Sequence, residues 1–318
     1  MTIVQLRYLI ALDTWRNFAK AAKACSVSQP TLSMQIKKLE ESLGISLFDR
    51  SVKPLRPTAM GQQVIKQARL ILREVEYLRE LILPQGKDGL SGSLRIGIIP
   101  TLSPYLLPLF LPAFLQAYQE VALTVEELLT DQIIDKVLKD ELDAGILVTP
   151  LEHRDITAWP LFYELFLAYV SDKHPLSQKR KLTQADLAST GMWLLEEGHC
   201  LRVQALNICS DNPGEESRHF TFQTGNLETL KRLVDKQGGY TLLPELATMD
   251  FGDEEYARIR SFKNPQPLRE VSLIVHKHHL LKRSLLKAMR QQIVQSVPAI
   301  MLNPQRGQVV SAISTQGD

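Results

Sequence analysis

The stretch FAKAAKACSVSQPTLSMQIKKLEESL, residues 18–43, decides the fold of the first part of the chain. Its alanine-rich start allows helices to approach closely, and Ser26-Val27-Ser28 then makes a tight turn. Pro30 suits the first turn of the next helix, where its missing N–H costs nothing. This helix has a buried stripe at helical spacing, formed by Leu32, Ile36, Leu39 and Leu43. Helix, turn and helix predict a helix-turn-helix motif, whose second helix enters the DNA major groove.

Polar and basic residues around this motif can reach base edges or phosphates. A helix at Val4–Trp15 precedes the motif, and a wing follows it within residues 45–58. The alternative is a three-helix bundle whose basic face is only solvated, but several independent features indicate DNA binding. The predicted DNA contacts are Gln29, Pro30, Thr31, Ser33, Gln35 and Lys37 on the helix, and Arg50, Lys53 and Arg56 on the wing.

Charge is distributed unevenly over the 318 residues, whose net charge is only +2. Residues 1–87 carry 14 Lys and Arg against 7 Asp and Glu, whereas the remainder carries 23 against 28. A basic module on a mildly acidic body predicts a polyanion that only the first part contacts. We therefore predict a DNA-binding domain over 1–58, with double-stranded promoter DNA as its partner.

A long helix is predicted from 59 to 84, with Thr58 as its N-cap. Its apolar stripe, which has no core to lie on, is expected to pair with a second copy of the chain. The stripe consists of Val64, Ala68, Ile71, Val75, Leu78 and Ile82. The Gly-rich, polar segment 85–92 then predicts a hinge between domains.

Strands and helices alternate over residues 93–300, which predicts an α/β sheet with parallel strands. Two such lobes leave a cleft where strand ends bind ligands, and Thr101, Thr130 and His199 fall at such ends. Residues 301–318 are expected to be a flexible tail. Strands are predicted at 94–99, 123–127, 143–148, 165–170, 191–195, 239–244 and 273–276, with a final helix over 281–297.

The segment GHCLRVQALNIC, residues 198–209, is predicted to be a short amphipathic helix. Cys200 at its N-terminus, beside His199 and near Arg202, would have its thiolate favoured by the helix dipole and local charge. Nine helical residues put Cys200 and Cys209 about 13 Å apart, whereas a disulfide needs Cα atoms within about 7 Å. A bond between them would require the helix to come apart. The alternative that the spacing leaves open is that both cysteines are inert small apolar residues.

Several function classes receive no support from the sequence. No signal peptide and no run of about 18 apolar residues is present, so we expect a cytoplasmic protein without a membrane partner. Three cysteines in such a chain indicate a reducing compartment, where a disulfide would be transient. The histidines are scattered, and no phosphate loop or hydrolase motif occurs, so we expect no metal and no cofactor.

The sequence FAKAAKACSVSQPTLSMQIKKLEESLGISLFDR, followed by PTAMGQ, resembles the DNA-binding head of LysR-type transcriptional regulators. That resemblance implies an α-helical winged helix-turn-helix domain, a dimerising linker helix, and a two-lobed α/β sensor domain like a periplasmic binding protein. Members of the family commonly assemble as homotetramers, and RNA polymerase is an expected partner.

The sensor half is similar to the hydrogen-peroxide-responsive members of this family in GIIPTLSPYLLP, EEGHCLR, LETL and TLLP. The resemblance implies that Cys200 reacts with peroxide and that Cys209 resolves the product as a disulfide. Val203 departs from the pattern, because related members often carry Asp there. The residues implied to surround the peroxide are Thr101, Thr130, His199, Arg202 and Arg269.

The function implied is a non-enzymatic activator of oxidative-stress genes, switched by hydrogen peroxide and reset by a thiol reductant. Two alternatives stay open on the sequence. One is a LysR-type regulator of a small organic effector bound in the interlobe cleft, with incidental cysteines. The other is a thiol peroxidase that uses the same site, against which the DNA-binding head argues.

Overall fold

The computed structural model describes residues 1–82, 90–151, 153–188, 191–209, 225–277 and 282–312. These residues form two compact units, the first ending in the long helix and the second beginning at residue 90. Most of the predicted hinge at 85–92 lies outside the described residues. Within the described ranges, no helix is both long and apolar enough to cross a membrane.

The first unit contains the predicted helix-turn-helix. Its turn includes Ser26 in a left-handed conformation with φ of 55°, and the Ser28 hydroxyl caps the next helix by accepting from the Thr31 backbone N–H. Leu32, Ile36 and Leu39 of that helix are buried in the same core as the helix before the motif, so the predicted motif is confirmed. The prediction of a buried Leu43 was wrong, because this side chain at the C-terminal end of the helix is exposed. The elements are α1 Ile3–Trp15, α2 Phe18–Ala24, α3 Gln29–Leu43, β1 Phe48–Asp49, β2 Arg56–Pro57 and α4 Ala59–Ile82.

The wing is the short antiparallel pair of β1 and β2, and α4 follows it directly. The Thr58 hydroxyl accepts from the Gly61 N–H at 2.9 Å, which is the predicted N-cap. Gly61 lies so close to the wing that a Cβ there would be 2.0 Å from the Leu47 carbonyl oxygen. Along α4, Leu78 is 63% exposed within this single chain, so the predicted apolar stripe is uncovered at this position.

The second unit is a two-lobed α/β structure built on a nine-stranded sheet among the described residues. Each lobe has its own buried apolar core, and the long strand β6 contributes residues to both cores. Strand β10 pairs with β6. The elements are β3 Gly92–Ile98, α5 Ser103–Ala117, β4 Val121–Glu127, α6 Thr130–Leu138, β5 Ala144–Thr149, β6 Ile156–Val170, β7 Lys181–Leu182, α7 Cys200–Ile208, α8 Leu227–Gln237, β8 Tyr240–Pro244, α9 Asp253–Tyr256, β9 Ile259–Phe262, β10 Pro267–His276, α10 Arg283–Ser296 and β11 Gln308–Val309.

Strand direction differs from the expectation of a parallel sheet. Only part of the sheet is parallel: β3 pairs in parallel with β4 and β5, whereas β10 is antiparallel to β5 and β6. The prediction was wrong for β6, β8 and β10 because β6 runs in the opposite direction to both of these neighbours. Antiparallel pairing also joins β6 to β8.

Three predicted strands have different extents in the structure. The strand predicted at 273–276 begins six residues earlier, at Pro267. The strand predicted at 165–170 begins nine residues earlier, at Ile156. Pro160 pairs with Ser272 next to a register shift, and this irregularity interrupts the alternating pattern. At 191–195 the structure has a single bridge, Met192 to Tyr240, rather than a strand.

The predicted flexible tail was wrong for residues 301–312, which fold onto the second unit. There β11 pairs in parallel with β10, and the Val310 N–H donates to the Leu268 carbonyl at 2.8 Å. The Arg306 guanidinium adds a two-point ion pair with Glu245, at 2.6 and 2.9 Å. Residues 313–318 lie outside the described part of the chain.

Candidate functional site

The helix that carries both candidate cysteines is α7, and its start is set by Gly198. That glycine has a φ of 92°, a left-handed conformation that side-chain-bearing residues rarely adopt. His199 is the N-cap in extended conformation, Cys200 is the first helical residue and Cys209 is the C-cap. The predicted helix is therefore present, with one cysteine at each end.

The two cysteines lie in different cores. Cys200 packs in the core of the first lobe, and Cys209 packs in the core of the second, with its sulfur 3.9 Å from that of Met192. Both are free thiols and both are buried, at 8% and 7% exposure. Joining them would require α7 to unwind and at least one thiol to leave its core, as the helical spacing predicts.

A buried ion pair fixes the candidate residue Arg269. This arginine on β10 and Glu164 on β6 are cross-strand partners, and both side chains are fully buried. The Arg269 Nε donates to a Glu164 carboxylate oxygen at 2.7 Å. Its Nη1 and Nη2 donate to the hydroxyl and the carbonyl of Thr101, each at 3.3 Å. The guanidinium is thus held on two sides, near Cys200.

Burial raises the pKa of the Cys200 thiol, and three kinds of group oppose that shift. They are the positive charge of Arg269, the Thr130 hydroxyl, and the backbone N–H groups at the start of α7. We expected the helix dipole and nearby charge to favour the thiolate, but burial outweighs them in this conformation, so that expectation was wrong. Burial likewise raises the pKa of Cys209, to about 11.

Thr130, the first residue of α6, contributes a buried hydroxyl beside Cys200. It lies near enough to favour the charged form of the thiol, yet its oxygen makes no hydrogen bond of normal geometry with the described residues. A buried polar group without a partner carries an energetic cost, and a small polar molecule beside the thiol would relieve it. The structure therefore brings Cys200, Arg269, Thr101 and Thr130 together.

His199 and Arg202 are the two candidate residues with other partners. The His199 ring packs on Gly225, where a Cβ would lie 2.7 Å from its Nε2, and burial lowers the pKa of this histidine, so it is neutral near pH 7. The Arg202 Nη1 donates to the Leu195 carbonyl at 2.9 Å. Neither supplies the positive charge that acts on Cys200, which comes from Arg269.

A segment near the C-terminus, residues 308–311, holds α7 in place, and we call it the C-terminal strap. The Gln204 side-chain amide donates to the Val310 carbonyl at 2.9 Å, and the Asn207 amide donates to the Ser311 carbonyl at 3.0 Å. Val310 also packs against the second core. Any unwinding of α7 must break these contacts. No sequence pattern indicated this strap, because the residues that form it were expected to be a flexible tail.

Some candidate DNA contacts of the first unit have partners within the chain, and some are exposed; Arg50 and Lys37 are both paired and exposed. Gln35 accepts from the Gln5 amide at 3.2 Å, and Arg50 pairs with Glu40 at 2.7 Å and lies over the Phe18 ring. Lys37 makes only a loose ion pair with Glu41, at 3.7 Å. Thr31 and Ser33 are half-buried. The exposed candidates are Gln29, Pro30, Lys37, Arg50, Lys53 and Arg56.

Each of the two units matches a family of known proteins. Residues 3–62 match the model of bacterial regulatory helix-turn-helix proteins of the lysR family, and residues 87–298 match the LysR substrate binding domain. The chain is 39% identical to the hydrogen peroxide-inducible genes activator of Haemophilus influenzae, over 86% of this chain and 90% of that protein. It is 36% identical to the DNA-binding transcriptional dual regulator OxyR of Escherichia coli K12, over 95% and 96%.

Solved structures agree with these relatives. A full-length OxyR variant from Pseudomonas aeruginosa superposes with a TM-score of 0.75 at 32% identity, covering 93% of this chain and 99% of that one. A Corynebacterium glutamicum OxyR variant with hydrogen peroxide bound superposes with a TM-score of 0.59 at 25% identity, covering 93% and 92%.

Proposed function

Because the chain belongs to the LysR family of helix-turn-helix regulators, we propose that it is a transcriptional activator switched by hydrogen peroxide at Cys200. The observation that carries this proposal is the grouping of Cys200 with Arg269, Thr101 and Thr130. Relatives named as peroxide-inducible gene activators support it. A regulator of a small organic effector would need no buried thiol beside a guanidinium at the lobe junction.

The chemistry assigns a step to each thiol. The Cys200 thiolate attacks one oxygen of hydrogen peroxide, the O–O bond breaks, and the leaving hydroxide takes a proton to become water, which leaves a sulfenic acid. Arg269 stabilises the thiolate, and the Thr130 and Thr101 hydroxyls can hold the peroxide. The Cys209 sulfur then displaces water from the sulfenic acid and forms the disulfide. A thiol reductant returns both cysteines to thiols.

The disulfide acts as a two-state switch because it selects a second packing of the segment around α7. Reduced, the two thiols sit in separate cores; oxidised, the helix is unwound and its core contacts are lost. We propose a stoichiometric sensor rather than a peroxidase, without a resident metal or cofactor. We also propose a cytoplasmic homodimer formed through α4, assembling to a homotetramer that contacts promoter DNA and RNA polymerase.

A footprint comparison tests this function. DNA sites would be selected from a random library with the reduced full-length protein, and nuclease footprints recorded before and after one equivalent of peroxide. We expect peroxide to change the footprint of the parent protein and to leave that of Cys209→Ser unchanged. A footprint indifferent to peroxide but altered by a small metabolite would favour the organic-effector alternative, and continuous peroxide turnover with a dithiol would favour the peroxidase.

Replacing Lys37 or Arg56 with alanine is expected to weaken DNA binding on all sequences. Both side chains are exposed on the recognition helix and the wing, and each lost phosphate contact should reduce the slope of log affinity against log salt by about one. Fluorescence anisotropy over a salt series measures this slope. Lys181→Ala, an exposed lysine of the second unit, is the matched control. An unchanged slope in both variants would show that neither Lys37 nor Arg56 contacts a DNA phosphate.

Shortening the chain to end at Gly307 is expected to accelerate disulfide formation roughly tenfold or more. It removes the two carbonyls of the C-terminal strap that hold Gln204 and Asn207, and each such bond stabilises a fold by about 0.5–1.5 kcal/mol. Alkylation-quenched time courses after a peroxide pulse measure the rate. A chain ending at Ala312 keeps both carbonyls and should behave as the full chain does. Equal rates for the two truncations would show that the strap does not restrain α7.

A further inference from the structure

Glu164 is a fully buried carboxylate that the peroxide chemistry above leaves without a role. It lies within the apolar strand β6, directly opposite Arg269. One of its oxygens accepts from Arg269 at 2.7 Å, and the other accepts from the Leu246 N–H at 3.0 Å. Both oxygens therefore already accept a hydrogen bond, and the second of these bonds anchors the carboxylate to the backbone turn after β8.

That anchoring determines where the guanidinium of Arg269 can lie. Its Nε edge faces Glu164, so its two Nη groups are directed to Thr101, and its charge acts on Cys200. A buried carboxylate at 2.7 Å from the guanidinium also cancels much of its field at neighbouring atoms, because oppositely charged groups act there as a dipole. Glu164 thus has two opposing effects on Cys200.

We propose that Glu164 is a positioning residue for the reaction of Cys200, holding Arg269 against Thr101 while its negative charge limits how strongly Arg269 stabilises the thiolate. The ion pair that orients Arg269 therefore also limits the reactivity of the Cys200 thiol. The identity of the oxidant rests on the proposed function, but the electrostatic effect on Cys200 does not.

Other charged or titratable groups contribute to the same field. The phenol of Tyr105 on α5 lies near both members of the pair and donates to Glu228 at 3.0 Å. His199 at the start of α7 is neutral near pH 7 because burial lowers its pKa. Both side chains are the same in the parent and in the variants proposed below, so a difference between them is assigned to Glu164.

Glu164→Gln, made in a Cys25→Ser/Cys209→Ser chain, tests the proposal without peroxide. The rate of Cys200 alkylation by iodoacetamide is measured against pH in the full chain. The midpoint of the curve gives the pKa of the Cys200 thiol. We expect the midpoint to fall by about one pH unit. At a pH well below both midpoints, the variant would then have about tenfold more thiolate than the protein with Glu164. A midpoint that is unchanged or higher would overturn the proposal.

Asp143→Asn is the matched control, because Asp143 is a buried carboxylate paired with Lys282 at 2.8 Å. It precedes β5, at the end of the parallel strands opposite to Thr101, so its loss should leave the midpoint in place. Thermal unfolding verifies that each variant folds. If Glu164→Gln does not fold, Glu164→Asp replaces it: the shorter side chain weakens the ion pair, and a smaller fall in the midpoint is expected, with no fall or a rise again counting against the proposal.

The result separates the two claims. A lowered midpoint in a protein whose Cys200 ignores peroxide would retain the role of Glu164 and remove peroxide sensing. If peroxide oxidises Cys200 but the midpoint does not move, peroxide sensing is supported and the proposed role of Glu164 is excluded.

Discussion

Replacing Cys200 with serine is expected to abolish the response to peroxide, lowering the rate of oxidation by roughly a thousandfold or more, the scale on which loss of a reacting nucleophile acts. A serine hydroxyl in the same place has no accessible anion, so neither Arg269 nor Thr130 can compensate. Competition against a peroxide-consuming enzyme of known rate measures the loss in the full chain.

Two other cysteine variants separate the steps. Cys209→Ser keeps the reacting thiol and should still consume one equivalent of peroxide, stopping at a sulfenic acid that a dimedone-type probe traps. Cys25→Ser should behave as the parent, because Cys25 packs against the core of the first unit. If Cys200→Ser still lost two thiols on peroxide treatment, the assignment of the reacting residue would be wrong.

Replacing Arg269 with methionine is expected to destabilise the second unit by about 3–5 kcal/mol, because it leaves Glu164 buried without its counter-charge. Urea unfolding followed by intrinsic tryptophan fluorescence measures the change. The double variant Arg269→Met/Glu164→Met replaces the whole pair with apolar side chains and should recover much of the loss, since buried ion pairs often gain little net stability.

The two Arg269 variants also separate stability from reactivity. Both lack the guanidinium, so both should react slowly with peroxide although their stabilities differ. A double variant as reactive as the parent would show that Arg269 serves only the fold. A single variant as stable as the parent would show that Glu164 finds another partner.

Local structure could be predicted well where short-range chemistry decides it. The helix-turn-helix follows from the turn at Ser26-Val27-Ser28, Pro30 and an apolar stripe, and the structure has the second helix over Gln29–Leu43. The helix between Cys200 and Cys209 follows from Gly198 and apolar spacing. These features depend on neighbours in the chain, which a sequence displays directly.

Long-range pairing could not be predicted in the same way. Glu164 and Arg269 are 105 residues apart and meet only because β6 pairs with β10. A charged residue inside the apolar run from Leu161 to Val170 was the available signal for Glu164. The raised pKa of Cys200 depends on burial in a core contributed by many elements, and the C-terminal strap depends on pairing between β10 and β11.

The central claim is that Cys200 and Cys209, held apart in two cores, become one disulfide when peroxide arrives. Mass-spectrometric mapping of all three cysteines in the full chain, before and after one equivalent of hydrogen peroxide, tests it most directly. We expect three free thiols before the pulse, and afterwards a Cys200–Cys209 disulfide with Cys25 still a thiol. Recovery of Cys200 and Cys209 as unmodified thiols, or a disulfide that includes Cys25, would contradict this account.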